Sequence, residues 1–514
     1  MCQARAAGCR GGAARRGAFA AARWAAGMAA LASAGGLLRT PLQLPCGARL
    51  GNRLCKSAAT EGLADERGRA TEAHVRLYRG WAESGCGLLI TGNVMVDARY
   101  VERPGNVSID GAQDAESRAR LSAYAAAAGS QGAQVWVQLS HPGRQAALLV
   151  APIAPAPSQV PVASPIPLAE AREMTLAEVA ELVQRFASAA LVCKETGFSG
   201  VQIHAAHGYL LSAFLSPLAN VREDRYGGRL ERRAAVLLEV VAAVRAKVGP
   251  AFAVSVKLNS SDFQKGGFSH EDALQVARWL DAAGVDLIEL SGGNYESPAM
   301  MIGGGGDGGG LQHPASASTA RREAYFAHFA KDIAAAMRRA AVMVTGGFRT
   351  RAGMEQALAA GEAAVIGVVR PLCVDPRCTK ALLDGLVDVL PMPELTLPVP
   401  GLAQRLASAH PAFALAGVGS RMLVFYDILL AWGQEPEGPQ RRSATDASVL
   451  GALWRVQLHD LRAARALKAH LPPLPSQDRD TLNSRWATTK RRVIALALVA
   501  ALLLRYYLVR RRAK

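Results

Sequence analysis

Residues 253–292 read AVSVKLNSSDFQKGGFSHEDALQVARWLDAAGVDLIELSG, and this stretch decides the fold class. It contains two short apolar runs, Ala253–Asn259 and Val285–Gly292, that have the length of β-strands. Between them, residues 269–283 carry apolar side chains at helical spacing. The strand-like runs are largely apolar rather than alternating, as expected for a parallel sheet buried on both faces. The stretch therefore predicts a strand–helix–strand unit with parallel strands.

The same unit recurs through the middle of the chain. Strand-like runs cover Asn52–Ala59, Gly87–Val96, Gln134–Ser140, Gly200–Ala206, Ala253–Asn259, Val285–Gly292, Val342–Gly347 and Ala363–Val368. Helical patterns follow at residues 71–84, 114–130, 175–196, 229–248, 269–283, 319–339, 350–360 and 375–389. This repetition predicts an α/β protein with one (β/α)8 barrel, a TIM barrel, over residues 41–395. A doubly wound open sheet is the rival fold, but the Gly-rich phosphate loop expected after its first strand is missing from the sequence.

The charge of the chain is concentrated at its two ends. The 514 residues include 59 Lys and Arg against 42 Asp and Glu, a net charge of +17. Residues 1–40 hold six Arg and no acid, and residues 490–514 hold eight basic residues and no acid. The barrel region is therefore close to neutral, and we expect no nucleic-acid-binding face. Eight irregularly spaced Cys give no disulfide framework and indicate a reducing compartment.

The two charged ends predict different locations for the protein. The leader, residues 1–40, has the Ala/Arg-rich composition of a mitochondrial or plastid transit peptide, or of a disordered segment. Near the other end, Lys490-Arg491-Arg492 precedes the apolar run Val493–Leu504, and further basic residues follow. This pattern predicts a short transmembrane helix within residues 490–514 that anchors the protein to a membrane and leaves the barrel in the cytosol. A helix in the membrane interface or a buried terminal helix is the alternative.

Residues 396–489 are predicted to form a helical extension between the barrel and the tail. Apolar side chains recur there at helical spacing, at Leu450, Leu453, Trp454, Leu458 and Leu461. This stripe predicts a face that packs against the barrel, with a partner-binding face as the alternative.

Polar residues cluster at the carboxyl ends of the predicted strands, where the active sites of (β/α)8 barrels lie. They are Thr60, Glu61, Asn93, Gln138, His141, His204, His207, Lys257, Asn259 and Ser291. Gly346, Gly347 and Arg370 follow strands seven and eight. Glycines let the backbone approach an anion closely, and an Arg side chain binds one through a planar fork. The residues themselves therefore indicate a barrel enzyme with a phosphate-bearing ligand.

Three motifs carry a family resemblance. Residues 137–144 read VQLSHPGR, residues 197–217 read GFSGVQIHAAHGYLLSAFLSP, and residues 225–232 read RYGGRLER. Together they closely resemble the old yellow enzyme family, the NAD(P)H:flavin oxidoreductases that hold FMN in a barrel. The resemblance covers about residues 41–395.

The resemblance implies which residues bind FMN. Thr60, with Ala59 beside it, would touch the O4 and N5 edge of the flavin, and Gly92 would leave room for the ring system. Gln138 would bond the pyrimidine edge, and Lys257 would place a cation at N1 and O2, where relatives often have Arg. The glycine pair and the arginine after strands seven and eight would hold the phosphate.

His204, His207 and Tyr209 match the family's catalytic residues. The histidine pair would bind a substrate carbonyl oxygen through two N–H donors, and Tyr209 would protonate the α-carbon after hydride reaches the β-carbon. The resemblance implies an ene-reductase-type enzyme that uses NADH or NADPH and a small enone-like acceptor, an α,β-unsaturated carbonyl. His-x-x-His is also a metal-ligand spacing, but the sequence offers no third ligand nearby, so no metal is expected.

Two other functions stay open on the sequence alone. A barrel lyase or aldolase would use the same corner for a phosphorylated substrate. A membrane-tethered scaffold would catalyse nothing, although the complete set of two His and one Tyr argues against it. The sequence leaves the oligomeric state open.

Overall fold

The predicted strands form one closed parallel barrel. The computed structural model describes residues 36–163, 168–293, 296, 327–392, 425–431 and 449–471. The barrel strands, in order, are β1 (Leu54–Lys56), β2 (Leu88–Met95), β3 (Gln134–Ser140), β4 (Gly200–Ala205), β5 (Ala253–Asn259), β6 (Leu287–Ser291), β7 (Ala341–Thr345) and β8 (Val365–Val368). β8 pairs in parallel with β1, which closes the barrel. The predicted (β/α)8 fold and the order of its strands are confirmed.

Helices surround the barrel, eight of them at the predicted positions and two short ones, Leu210–Leu215 and Arg370–Val374, that were not predicted. They are α1 (Glu72–Ala82), α2 (Ala115–Ala128), α3 (Leu176–Glu195), α4 (Leu210–Leu215), α5 (Leu230–Val248), α6 (His270–Ala282), α7 (Ala327–Ala336), α8 (Arg351–Ala359), α9 (Arg370–Val374) and α10 (Cys378–Leu383). α3 begins at a capping box in which Thr175 Oγ1 accepts from the Glu178 N–H and the Glu178 carboxylate accepts from the Thr175 N–H. The last predicted helix, 375–389, is shorter than expected, because Gly385 adopts a φ of +80° just after α10.

A short hairpin closes the amino-terminal end of the barrel. Leu42–Gln43 pairs antiparallel with Arg49–Leu50. Its buried Leu44 and Leu50 pack with barrel residues that include Trp136 and Leu287. The hairpin leaves the carboxyl-terminal end of the barrel uncovered, and the predicted polar residues lie at that end.

Two helices of the extension dock on the barrel. One covers residues 425–431 and the other, the C-terminal helix, covers Val449–Lys468. Ala464 and Leu467 of the C-terminal helix are buried in a cluster with Met95, Val101 and Val150. The extension therefore packs against the loops that follow β2 and β3, at the end of the barrel where an active site is expected.

The described members of the predicted apolar stripe are Leu458, which is half-buried, and Leu461. Leu461 is 51% exposed, so it does not belong to the packing face. Val456, Ala464 and Leu467 are buried instead, which places this face on another side of the helix from Leu461. The side chains of Leu450, Leu453 and Trp454 lie outside the described residues.

The predicted leader and membrane anchor lie almost wholly outside the structure. Residues 1–35 and 472–514 are not among the described residues. Within the described ranges, no helix is both long and apolar enough to span a bilayer. Cys46, Cys55, Cys86, Cys193 and Cys378 are free thiols.

Candidate active site

The barrel places four of the predicted residues on three neighbouring strands or just after them. Gln138 lies on β3, His204 on β4 and Lys257 on β5, and Tyr209 comes directly before α4. His204 and Lys257 are register partners across β4 and β5, so their side chains start side by side. The rings of His204 and Tyr209 meet edge to face, with centroids 4.7 Å apart. These four residues therefore form one group at the carboxyl ends of the strands.

Lys257 has a buried counter-ion, Glu289, which was not among the residues predicted from the sequence. Its Nζ lies 2.9 Å from Glu289 Oε1 on β6, and Glu289 is completely buried. The other oxygen, Oε2, accepts a hydrogen bond of 2.7 Å from Gln202 Nε2, and Gln202 Oε1 accepts one of 2.8 Å from Gln138 Nε2. Two predicted flavin contacts, Gln138 and Lys257, are thus joined by one continuous polar chain.

A sequence signal for Gln202 and Glu289 exists. Gln202 is two residues before His204 on the same strand, so both side chains point to the same side of the sheet. Glu289 stands alone among apolar neighbours in Leu287–Ser291. A buried charge in such a strand requires a partner, but the sequence does not say which strand supplies it.

His204 is set up to donate a hydrogen bond from one defined nitrogen. Its Nδ1 accepts from the backbone N–H of Ala206 at 3.3 Å, which assigns the ring proton to Nε2. Burial, with smaller contributions from His207 and Lys257, lowers the pKa of His204 well below its ordinary value. His204 is therefore a neutral donor at pH 7.

His207 is held in an uncommon backbone conformation. Its φ of +63° lies in the left-handed region, which costs free energy for a residue with a side chain. Asn259 Oδ1 accepts from its N–H at 3.1 Å, and its carbonyl oxygen accepts from Gln145 Nε2 at 3.0 Å. Asn259 and Gln145 thus stabilise the bend after β4 that brings the His207 ring to 5.2 Å from the His204 ring.

Only one nitrogen of His207 is left for a substrate. Nε2 lies 2.7 Å from Ser291 Oγ, so this nitrogen is already engaged. Burial lowers the pKa of His207 well below its ordinary value, so the ring is neutral and carries one proton. If the Ser291 hydroxyl donates to Nε2, the proton lies on Nδ1, and Nδ1 becomes the donor. In that tautomer, the pair of N–H donors is His204 Nε2 and His207 Nδ1.

Thr60 and Ala59 lie in the loop after β1. Thr60 Oγ1 is 2.9 Å from Asn93 Oδ1 and 3.1 Å from Glu102 Oε2. Burial raises the pKa of the Glu102 carboxyl above its ordinary value. The hydroxyl proton of Thr60 is used within this cluster, so its oxygen can act towards a ligand as an acceptor.

Gly92 lies in close contact with Glu61 and Ala59, which leaves no room for a side chain at this position. A Cβ at position 92 would lie 1.9 Å from Glu61 Oε2 and 2.5 Å from the Ala59 carbonyl oxygen. Glu61 Oε1 also accepts from the Gly92 N–H at 2.8 Å and from the Tyr78 hydroxyl. The space at Gly92 thus accommodates Glu61, and the Glu61 contacts hold the loop that carries Thr60.

The predicted phosphate corner has the expected backbone. Gly346 and Gly347 follow β7 with φ values of +118° and +82°, a conformation that side chains rarely allow. Consecutive N–H groups in such turns form anion-binding concavities. Arg370 comes just after β8, as the first residue of α9. The two elements lie on adjacent strands, because β7 pairs with β8.

This set of groups fits FMN chemically. A buried ammonium, an amide and a hydroxyl suit the polar edges of an isoalloxazine ring, while a glycine turn and a guanidinium suit a phosphate. Across the described ranges, no three His, Cys, Asp or Glu side chains are arranged to hold a metal ion.

The comparisons with known proteins agree with this chemistry. The model of the NADH:flavin oxidoreductase / NADH oxidase family matches residues 38–388. An NADH-dependent flavin oxidoreductase of Hypocrea jecorina (strain QM6a) is 37% identical over 360 residues, which are 67% of this chain and 88% of the relative. An NADH oxidase of Thermoanaerobacter brockii is 30% identical over 342 residues, 65% of this chain and 49% of the relative.

Solved structures with the same barrel include two reductases. A 2-naphthoyl-CoA reductase complex matches with a TM-score of 0.60 and 26% sequence identity. The match covers 68% of this chain and 52% of the reductase chain. Morphinone reductase matches with a TM-score of 0.57 and 23% sequence identity, over 70% of this chain and 92% of the morphinone reductase chain. At this identity the likeness concerns the fold alone. The matched region spans the whole barrel, so the chain belongs to the NADH:flavin oxidoreductase / NADH oxidase family, the old yellow enzyme family, and is an NAD(P)H:flavin oxidoreductase with FMN as its cofactor.

Proposed function

We propose that the enzyme is an ene-reductase that passes hydride from NAD(P)H through FMN to an α,β-unsaturated carbonyl compound. Bound FMN would accept the hydride from the nicotinamide and later deliver it to the alkene. The observation that carries the proposal is the group formed by His204, His207 and Tyr209, in which two neutral imidazoles and a phenol lie in contact. The oxidoreductase assignment also favours this function over a lyase.

The two histidines would bind the carbonyl oxygen. His204 offers Nε2–H and His207 offers Nδ1–H, and both rings are neutral because burial lowers the pKa of each. Two donors on the carbonyl oxygen withdraw electron density from the β-carbon. They also stabilise the enolate charge that develops on this oxygen during reduction. A neutral donor also keeps its proton, so the pair would stabilise the enolate without protonating it.

Tyr209 would supply the proton. Its side chain is buried against the His204 ring, and its backbone precedes α4, so its position relative to the histidines is defined by the fold. A phenol placed beside the bound enolate is a suitable general acid for the α-carbon. Addition of hydride at the β-carbon and of this proton at the α-carbon completes the reduction of the double bond.

The residues that would hold FMN divide into two groups. Ala59, Thr60, Gln138 and Lys257 would surround the isoalloxazine ring, with Gly92 acting through the loop it accommodates. Gly346, Gly347 and Arg370 would bind the phosphate.

A two-stage spectroscopic experiment tests the proposal. Purified protein should show flavin absorbance that anaerobic NADH or NADPH bleaches, and 2-cyclohexen-1-one should then restore it with formation of cyclohexanone. Bleaching without reoxidation by the enone would reject the ene-reductase function while keeping the flavin oxidoreductase. Protein that binds no FMN would reject both and favour the lyase.

We also propose that residues 490–514 attach the protein to a membrane, with transit-peptide targeting by residues 1–40 as the alternative. Basic clusters on both sides of the apolar run Val493–Leu504 support this location. Carbonate extraction of a membrane fraction distinguishes the two. Full-length protein in the soluble wash would reject the anchor, and deletion of residues 490–514 should release the protein while its flavin content stays the same.

A further inference from the structure

We propose that Glu289 is a positioning residue that fixes the direction of the hydrogen-bond chain Glu289–Gln202–Gln138 and thereby makes Gln138 present an acceptor oxygen to the flavin. This inference rests on the proposed contact between Gln138 and the pyrimidine edge of FMN. It concerns two buried residues, Glu289 and Gln202, that this contact does not itself involve.

The direction of the chain follows from the chemistry of its first member. A carboxylate can only accept hydrogen bonds. Glu289 Oε1 faces Lys257 Nζ at 2.9 Å, and Oε2 faces Gln202 at 2.7 Å. Gln202 must therefore turn its amide nitrogen towards Glu289.

Gln202 then has no freedom in its other contacts. The same amide nitrogen lies 3.3 Å from Ser255 Oγ, so both of its N–H groups have acceptors on β5 and β6. The Gln202 oxygen is left to face β3, where it accepts from Gln138 Nε2 at 2.8 Å. Because Gln202 and Glu289 are both completely buried, water does not compete for these bonds.

The consequence appears at Gln138. One of its N–H groups is used towards Gln202, which leaves its carbonyl oxygen and a second N–H for a ligand. The pyrimidine ring of a flavin carries an imide, an N3–H donor flanked by two carbonyl oxygens, and this edge requires an acceptor beside a donor. A Gln138 turned the other way would present two donors and no acceptor. The buried carboxylate on β6 thus decides whether a side chain on β3 can recognise an imide.

The test compares FMN with N3-methyl-FMN, which lacks the imide N–H. Full-length protein stripped of flavin is titrated with each compound. The dissociation constant of N3-methyl-FMN divided by that of FMN measures recognition of the imide. Gln202→Met interrupts the chain without changing charge, and Glu289→Gln removes the acceptor-only group. In both variants we expect the ratio to fall about three- to tenfold, the value of one neutral hydrogen bond.

Asp286→Asn is the matched control. Asp286 is also a buried carboxylate paired with a basic residue, Arg245 at 2.7 Å, but it lies before β6 at the opposite end of the barrel. Its variant should lower the melting temperature and leave the ratio unchanged, which separates positioning from general destabilisation.

The outcomes separate this inference from the proposed function. Parent protein that binds FMN, together with a Gln202→Met or Glu289→Gln variant that folds and keeps the parent ratio, overturns the inference alone. A parent that binds both flavins equally also overturns it. A parent that binds no FMN overturns the proposed function as well.

Discussion

Replacing Ser291 by Ala tests how the structure orients His207, the second of the two histidines proposed to bind a substrate. Ser291 Oγ lies 2.7 Å from His207 Nε2; Ser291 is buried and His207 is half-buried. The neutral ring of His207 has two tautomers, and we expect only the one with the proton on Nδ1 to donate to a substrate. In this tautomer the Ser291 hydroxyl can give its proton to Nε2, and the resulting bond holds the ring in its orientation.

The magnitude follows from the single bond that is lost. A buried hydrogen bond of this kind is worth about 1–1.5 kcal/mol, which corresponds to a factor of about five to thirteen in the population of rings held in the orientation that binds a ligand. Without it, we expect the affinity for a phenolic or enone ligand to fall by that factor. FMN content should not change.

The assay is a titration of the oxidised protein with p-hydroxybenzaldehyde, followed through the change in flavin absorbance. Ser260→Ala is the matched control, because the buried Ser260 hydroxyl has no hydrogen-bond partner among the described residues. Ser291→Thr keeps the hydroxyl and should restore most of the affinity. Equal dissociation constants for Ser291→Ala and Ser260→Ala would refute the reasoning.

Four further changes have defined outcomes. Tyr209→Phe should slow reoxidation by an enone about 10²–10⁴-fold and spare reduction by NADH, as measured by stopped flow, since it removes the general acid. Burial lowers the pKa of His74 to about 4. As pH falls from about 6.5 to 4, this histidine is therefore protonated in the unfolded state but stays neutral in the native state. Stability should therefore drop over this range by on the order of 3 kcal/mol from this group, and urea denaturation of His74→Gln should show a smaller drop. Asp460→Asn leaves the buried Arg103 without its carboxylate, 3.0 Å away in the parent, and should destabilise the C-terminal helix by about 3 kcal/mol in hydrogen exchange. Gly92→Ala places a methyl group 1.9 Å from Glu61 Oε2 and should cost about 3 kcal/mol or more in chemical denaturation.

Each of these changes has a control or a contradicting result. Unchanged enone rates in Tyr209→Phe would remove the acid role. A His74→Gln protein with the parent's acid sensitivity would show that other groups cause it. Asp384→Asn breaks an exposed pair with Lys380 and should have no measurable effect on stability. Gly51→Ala should be harmless, because no atom lies within 4 Å of a Cβ at position 51.

The sequence alone determined the barrel and the end of the barrel that carries the chemistry. Apolar runs of strand length alternate with helical patterns, and both periodicities are local properties that neighbouring residues reveal. Since parallel strands in a closed barrel all finish at the same end, the residues after each strand could be expected to meet there. This reasoning correctly brought His204 and Lys257 together, although they come from different strands, whereas Tyr209 was singled out only by the family resemblance.

Tertiary structure decided which groups are partners, because contacts between distant strands and loops leave no local pattern. Glu289 and Gln202 acquire their roles only through β5, β6 and β3, which pair them with Lys257 and Gln138. The sequence predicted that Gly92 leaves room for a ligand, but it could not show that the Glu61 carboxylate, from the preceding loop, packs against Gly92.

The same limit applies to the extension. Helical spacing predicted a helix near residues 450–461, but two sides of that helix carry apolar residues, and periodicity cannot rank them. The ion pair between Arg103 and Asp460, together with burial of Ala464 and Leu467, selects the side that faces the barrel. Burial of a specific side is a property of the assembled surface, so it is decided by packing between residues hundreds of positions apart.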